Sequence, residues 1–234
     1  MMKELIIFPD IHGRDFWKVA KDDILSGVPC IFLGDYFDPY PRENINGEQA
    51  IENFREILGL SEKEGVNITF LLGNHDCTYL YPDERICECR TDYQNYPLIQ
   101  NLLIPIENKI YLAVKKGDYI FSHAGIHEHW LKEVGIELED ILDKPMNKIG
   151  QKVKDWLGCV SSYRGGWGDY SSPVWADIRE FQFSRFPYTQ IVGHTQQQKN
   201  PMRMRDVLCL DCRRAFWMDT EGDIYDYETG KIVP

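Results

Sequence analysis

Five times along its 234 residues the chain repeats one device, a short aliphatic run closed by a small polar group that usually opens with glycine. Leu5-Ile6-Ile7-Phe8 runs into Pro9-Asp10-Ile11-His12-Gly13, and Cys30-Ile31-Phe32-Leu33 into Gly34-Asp35-Tyr36-Phe37-Asp38. Ile68-Thr69-Phe70-Leu71-Leu72 meets Gly73-Asn74-His75-Asp76. Tyr119-Ile120-Phe121 meets Ser122-His123-Ala124-Gly125, and Gln190-Ile191-Val192 meets Gly193-His194-Thr195. Runs of this length without polar alternation read as strands buried on both faces. Between the second and third, Ala50, Ile51, Phe54, Ile57 and Leu58 recur at helical spacing. With a helical segment over 14–24, the chain begins β-α-β-α-β, which predicts a largely parallel sheet in an α/β fold. Ala215–Asp219 and Ile224–Tyr227 around Glu221-Gly222-Asp223 predict a closing hairpin.

No repeat or linker divides the chain, so residues 1–234 read as a single domain. Segments 77–110 and 128–172 read as insertions, the first irregular with Pro82, Pro97 and Pro105, the second carrying one or two helices. The 26 Lys and Arg against 37 Asp and Glu leave a net charge of −11. That charge disfavours a nucleic-acid polymer as partner, because such binding needs a basic surface to release counterions. It does not disfavour a phosphate-bearing substrate, since a bound metal reverses the local field. No apolar stretch reaches transmembrane length, so no membrane association is expected. Seven scattered cysteines suit a reducing, cytoplasmic setting. Cys87-Glu88-Cys89 and Cys209-Leu210-Asp211-Cys212 lack zinc-ribbon form and read as thiols, with Cys209 a buried one. His123, His127 and His129 offer a separate zinc spacing, but His127 and His129 read as lining residues.

In open α/β sheets ligands bind beyond the carboxyl ends of the strands. That rule gathers carboxylates 10, 35 and 38, the amide of 74 and the imidazoles of 12, 75, 123 and 194 along one edge. Four of the six histidines fall in this set. Mixed imidazole and carboxylate donors suit zinc, manganese or iron rather than calcium.

The five polar groups, in this order, resemble the ordered motifs of the calcineurin-like metallophosphoesterases, and within them the serine/threonine-phosphatase-like branch. The resemblance spans residues 10–195 and implies a two-sheet β sandwich flanked by helices, with a dinuclear centre at the strand ends. It implies that Asp10 and His12 hold one divalent transition-metal ion, that Asp35 bridges two, and that Asn74, His123 and His194 complete the second. Manganese is the expected metal, with iron or zinc as alternatives. Water activated between the ions would attack the phosphorus of a phosphate ester, either a small phosphomonoester, a nucleotide or a phosphoprotein. His75 would protonate the leaving oxygen, with Asp38 orienting its imidazole.

The chain departs from the branch at two places. Pro39 stands where an arginine normally follows the aspartate, and Leu72 where an arginine normally precedes Gly-Asn-His. Gln196 replaces a second histidine found elsewhere in the superfamily, which agrees with the branch. Arg179, after Pro173-Val174-Trp175, is the first candidate for a substitute phosphate clamp, and Arg14 the second. Ser161–Gly168 is glycine-rich but lacks the Lys-Ser/Thr helix start of a P-loop, so it reads as a loop over the crevice, with Tyr163 or Trp167 available to stack on substrate. The alternative to an enzyme is a non-catalytic, metal-bearing scaffold of the same fold. Retention of both His75 and Asp38 favours the enzyme, because a scaffold has no use for an acid pair.

Overall fold

A computed structural model of the chain describes residues 2–82 and 89–233. Its first sheet contains β1 (Lys3–Phe8), β2 (Cys30–Phe32), β3 (Ile68–Leu71), β4 (Ile110–Tyr111), β10 (Phe216–Asp219) and β11 (Ile224–Asp226). The second contains β5 (Ala113–Lys116), β6 (Tyr119–Ser122), β7 (Thr189–Val192), β8 (Met202–Met204) and β9 (Val207–Cys209). The first is ordered β11-β10-β1-β2-β3-β4 and the second β5-β6-β7-β9-β8. Strands β1 through β4 run parallel, as do β6, β7 and β9. The expected hairpin is present as β10 and β11, and β10 pairs antiparallel with β1.

The period-2 geometry of each strand divides its side chains between two cores. Leu5, Ile7, Ile31, Leu33 and Leu71 from the first sheet meet Phe121, Ile191 and Leu208 from the second, forming the sandwich interior. The alternate residues Ile6, Phe8, Cys30, Phe32 and Phe70 pack outward under helices. Those helices include α1 (Lys21–Leu25), α2 (Gly47–Ser61) and, further on, α4 (Tyr96–Leu103), which follows α3 (Asn74–Leu80). Beyond them lie α5 (Glu128–Val134) and α6 (Gln151–Lys154). The outer face of the second sheet is covered differently, by Ala176, Ile178 and Phe181 against Val192, Val207 and Cys209.

Helix α2 starts where its sequence directs: Asn46 accepts the Gln49 amide while the Gln49 side chain accepts the Asn46 amide, each at 2.8 Å. Its buried residues Ala50, Ile51, Phe54 and Ile57 occupy the expected face. The expected helix over 14–24 is two pieces, a 3-10 turn at Phe16–Ala20 followed by α1. The described parts of 77–110, residues 77–82 and 89–110, are less irregular than the prolines imply. Pro97 stands in the first turn of α4 and Pro105 in that of a 3-10 segment, where a missing N–H costs nothing. These two prolines start helical segments rather than interrupting them. Among the described residues no helix is long and apolar enough to cross a membrane.

Register sets the level of the site. Phe8, Phe32 and Phe70 are partners across β1, β2 and β3, with ring centroids 4.5 and 6.1 Å apart. The residues that follow each phenylalanine therefore leave the sheet at the same height. Phe121 and Ile191 are similarly paired in the second sheet. Both sheets deliver their polar turns to one end of the sandwich.

Candidate metal and active site

The eight residues gathered there, Asp10, His12, Asp35, Asp38, Asn74, His75, His123 and His194, are all buried. Four of them adopt left-handed backbone conformations: His12, Asp35, Asp38 and His194, with φ between 45° and 62°. Such values are uncommon outside glycine and are kept only where neighbours hold the turn. Here the His12 amide donates to the Asp35 carbonyl at 2.6 Å, and the His194 amide to Asp10 Oδ1 at 2.8 Å. The glycines of the motifs make room for carboxylates. A Cβ on Gly73 would lie 2.2 Å from Asp35 Oδ1, and one on Gly193 2.1 Å from Asp10 Oδ1.

Two donor groups share Asp35. His12, Asp35 and His75 bring ligand atoms within 4.8 Å of one another, and so do Asp35, His123 and His194. His12 Nδ1 donates to the Phe37 carbonyl at 2.7 Å, and His123 Nδ1 to the Leu33 carbonyl at 2.7 Å. A carbonyl can only accept, so both rings turn Nε2 toward the cluster. Burial, opposed by Asp35, holds the His12 pKa well below its ordinary value, so His12 Nε2 carries a lone pair. That lone pair faces Asp35 Oδ2 at 3.4 Å. His123 Nε2 lies 3.1 Å from Asn74 Oδ1, 3.1 Å from His194 Nδ1 and 3.6 Å from Asp35 Oδ2. Burial likewise holds His194 neutral. Lone pairs converging in a buried space repel unless a cation lies among them. Donor atoms about 2.1 Å from a transition metal are themselves roughly 3.0–3.5 Å apart, so the residues fit such an ion. The backbone carbonyls behind His12 and His123 fix the tautomers, as partners of metal-bound imidazoles do.

Asp10 stands outside both groups as the side chains are placed, with Oδ1 engaged by His194. Burial raises its pKa, although His123 opposes that. Asp35 behaves differently: burial raises it, but the charges around it, with His123 the largest and His75 next, bring it down to about 2.

His75 forms the second functional unit. Its Nδ1 donates to Asp38 Oδ2 at 2.8 Å, while Asp38 Oδ1 accepts the Tyr79 hydroxyl and the Asp92 amide. Burial lowers the His75 pKa, but the charge of Asp35 and the bond to Asp38 outweigh it and hold the ring well above 6.5, as an imidazolium. Its ring meets His12 edge-on at 4.9 Å.

Some functional contacts lie beyond the sequence reading. Asp76 ends the third motif and accepts the amides of Asp35, Tyr36 and Gly73 at 2.7–3.0 Å, tying the ends of β2 and β3 together. Burial and the charge of Asp35 raise it to about 7. Its position within Gly73-Asn74-His75-Asp76 was the available signal. Arg90 donates Nη2 to the Asp38 carbonyl at 2.7 Å and stacks on Tyr40 at 3.8 Å. Nothing in the sequence around Arg90 marks it.

The two arginines singled out from sequence are both engaged by carboxylates. Arg14 is buried, paired with Glu43 at 2.9 Å and bonded to the Asp10 carbonyl at 3.0 Å. Arg179 is exposed and held by Asp177 at 2.7 and 3.0 Å. Arg164, from the glycine-rich loop, shares Asp177 and reaches Thr195 Oγ1 at 2.9 Å, beside His194. Trp167 on that loop is fully exposed, and Tyr163 lies under Arg179 at 5.1 Å. His127 and His129 stack on Tyr170, and His127 Nδ1 accepts the His129 amide; with Glu128 they bring ligand atoms within 4.8 Å of one another, apart from the residues grouped around Asp35. Cys209 and Cys212 are buried thiols, while Cys87 and Glu88 lie outside the described residues.

Comparison with known proteins agrees with this geometry. No curated protein sequence matches the chain. Among solved structures, the cold-active protein-tyrosine phosphatase of a psychrophilic Shewanella species superposes with a TM-score of 0.62 at 14% identity, covering 100% of this chain and 81% of that one. A 1.1 Å structure of a cold-active protein tyrosine phosphatase gives 0.59 at 16% identity, covering 99% and 78%. Likeness at that identity speaks for the fold. The sequence model of the calcineurin-like phosphoesterases matches residues 4–198, a span that contains every strand-end motif described above. The chain belongs to the calcineurin-like phosphoesterase family, and it is a metal-dependent phosphoesterase.

Proposed function

We propose that the chain hydrolyses a phosphate ester at a dinuclear metal centre. Asp10, His12 and Asp35 would hold the first ion, and Asp35, Asn74, His123 and His194 the second. The observation that carries this reading is Asp35 itself, whose Oδ2 lies between the two ligand sets, 3.4 Å from His12 Nε2 and 3.6 Å from His123 Nε2. Manganese is the expected metal, with iron or zinc as alternatives, since all share an affinity for imidazole and carboxylate donors. Bound there, two divalent ions would supply Lewis acidity to the phosphoryl oxygens and lower the pKa of the attacking water.

The protein's own part is the proton and the placement. His75, charged and fixed through Nδ1, presents Nε2–H to the leaving oxygen and gives up its proton as the phosphorus–oxygen bond breaks. Asp38 stabilises the imidazolium beforehand and keeps the ring from rotating. Tyr79 and the Asp92 amide occupy the other oxygen of Asp38, so Oδ2 stays with His75. Asp76 keeps Asp35 and Gly73 in register.

The substrate is a small phosphomonoester, a nucleotide or a phosphoprotein. Its structural neighbours are named as protein-tyrosine phosphatases, which places phosphotyrosine beside p-nitrophenyl phosphate in the first panel. The test is hydrolysis of that panel by protein reconstituted with manganese, iron or zinc, with His75→Ala and Asp35→Ala as controls. Metal-dependent turnover lost in both variants is expected. Inactivity of the wild type with all three metals would overturn the reading.

A further inference from the structure

The branch this chain resembles holds its substrate phosphate with arginines that are here Pro39 and Leu72. Arginines around the site are mostly spoken for. Arg14 and Arg213 pair with Glu43, and Arg164 and Arg179 with Asp177. A guanidinium already matched to a carboxylate has little left for an incoming anion. Arg42 and Arg90 are different: among the described residues neither is paired with a carboxylate, and Arg90 lies nearer the Tyr40 ring that both approach, at 3.8 Å against 5.7 Å.

Its placement is specific. Nε and Nη2 both donate to the Asp38 carbonyl, at 3.2 and 2.7 Å. That carbonyl belongs to the residue that orients His75 and immediately precedes Pro39. The flat face of the guanidinium lies 3.8 Å from the Tyr40 ring, and Tyr40 meets His12 edge-on at 5.0 Å. Tyr40 is close enough to Asp10 and Asp35 to feel both charges. The cation is thus stacked one aromatic ring from a metal-ligand candidate. Two of its five N–H groups are spent on the carbonyl, which leaves three for other partners, Tyr40 among them.

We propose that Arg90, held flat on Tyr40 and pinned to the Asp38 carbonyl, binds the substrate phosphate in place of the arginines missing at 39 and 72. It is a specificity-determining residue delivered from a segment 52 residues beyond Asp38. The inference rests on the phosphoesterase reading above. The rigid stack is what makes a single guanidinium sufficient: Tyr40 removes the freedom that a flexible arginine would lose on binding.

Inorganic phosphate is the probe, titrated calorimetrically into metal-loaded protein and used as a product inhibitor of p-nitrophenyl phosphate hydrolysis. Arg90→Ala should weaken phosphate binding and raise KM by about ten- to a hundredfold, as for loss of a charged hydrogen-bonding pair, with metal content unchanged. Arg90→Lys should recover only part of this, because an ammonium cannot hold the carbonyl and fork an anion together. Tyr40→Leu, which keeps the guanidinium but removes its platform, should weaken phosphate several-fold and remains informative if Arg90→Ala does not fold. Should Arg90 merely brace the Asp38 turn, kcat would fall while phosphate affinity and KM stayed at the wild-type value. That result would overturn the proposal, as would wild-type protein that binds no phosphate. A wild type that binds phosphate through Arg90 yet hydrolyses nothing would sink the catalytic reading and leave this one standing.

Discussion

The backbone amide of His194 donates to Asp10 Oδ1 at 2.8 Å, joining residues 184 positions apart. It ties the end of β1 in the first sheet to the end of β7 in the second, and so closes the sandwich across the candidate metal site. Two roles of Asp10 can be separated on this basis. Asp10→Asn keeps an acceptor for the amide but removes the charge, so it should fold normally and retain less metal by elemental analysis. Asp10→Ala strands a buried N–H as well, and thermal unfolding should show a loss of about 1–3 kcal/mol. Equal stability of the two variants would refute the structural half of the assignment.

The acid pair makes a prediction about leaving groups. A p-nitrophenolate departs readily without a proton, whereas an alkoxide does not. Asp38→Asn should therefore cut kcat on an alkyl phosphate by roughly a hundred- to ten-thousandfold, the range of general acid catalysis, and affect p-nitrophenyl phosphate far less. Tyr79→Phe removes one bond to the remote oxygen of Asp38 and should fall between wild type and Asp38→Asn. Equal losses on both substrates would argue that His75 acts other than as the proton donor.

Most of this site was legible because chemistry and strand ends coincide. Buried strands are short aliphatic runs, the site lies where they stop, and Asp10, Asp35, Asn74, His123 and His194 each follow such a run directly. What escaped depends on contacts that no local pattern encodes. Asp76 sits in a recognised motif, yet its role as acceptor for three amides follows only once β2 and β3 are neighbours. Arg90 is remote from every motif, in a stretch whose prolines suggested irregular chain. Arg14 and Arg179 looked available because a sequence does not show that Glu43 and Asp177 already hold them.

Gly73 illustrates how tightly the turn is built. A methyl group there would lie 2.2 Å from Asp35 Oδ1, less than any real Cβ contact. The carboxylate shared by the two donor groups would have to move. Gly73→Ala should bind metal poorly and lose activity while its far-ultraviolet circular dichroism stays close to wild type. Gly59→Ala, at a helical position with open space around it, is the matched control and should change neither. Normal metal content in Gly73→Ala would mean that Asp35 does not bridge.

A final prediction concerns acid stability, away from the site. Glu107 accepts the Tyr81 hydroxyl at 2.7 Å and the Lys154 ammonium at 2.9 Å, joining the 3-10 segment Ile104–Lys109 to α3's end and to α6. Burial would raise its pKa, but those two bonds and the Lys154 charge lower it below 4.5. A carboxylate more acidic when folded than unfolded stabilises the fold above its unfolded pKa, and that contribution disappears as pH falls through the folded value. Wild type should therefore exceed Glu107→Gln in stability by a constant margin above about pH 5, the margin shrinking below it as both forms become neutral. Chemical denaturation at a series of pH values measures this directly. A margin that persists unchanged to pH 3 would show that the ionised carboxylate contributes nothing beyond its shape.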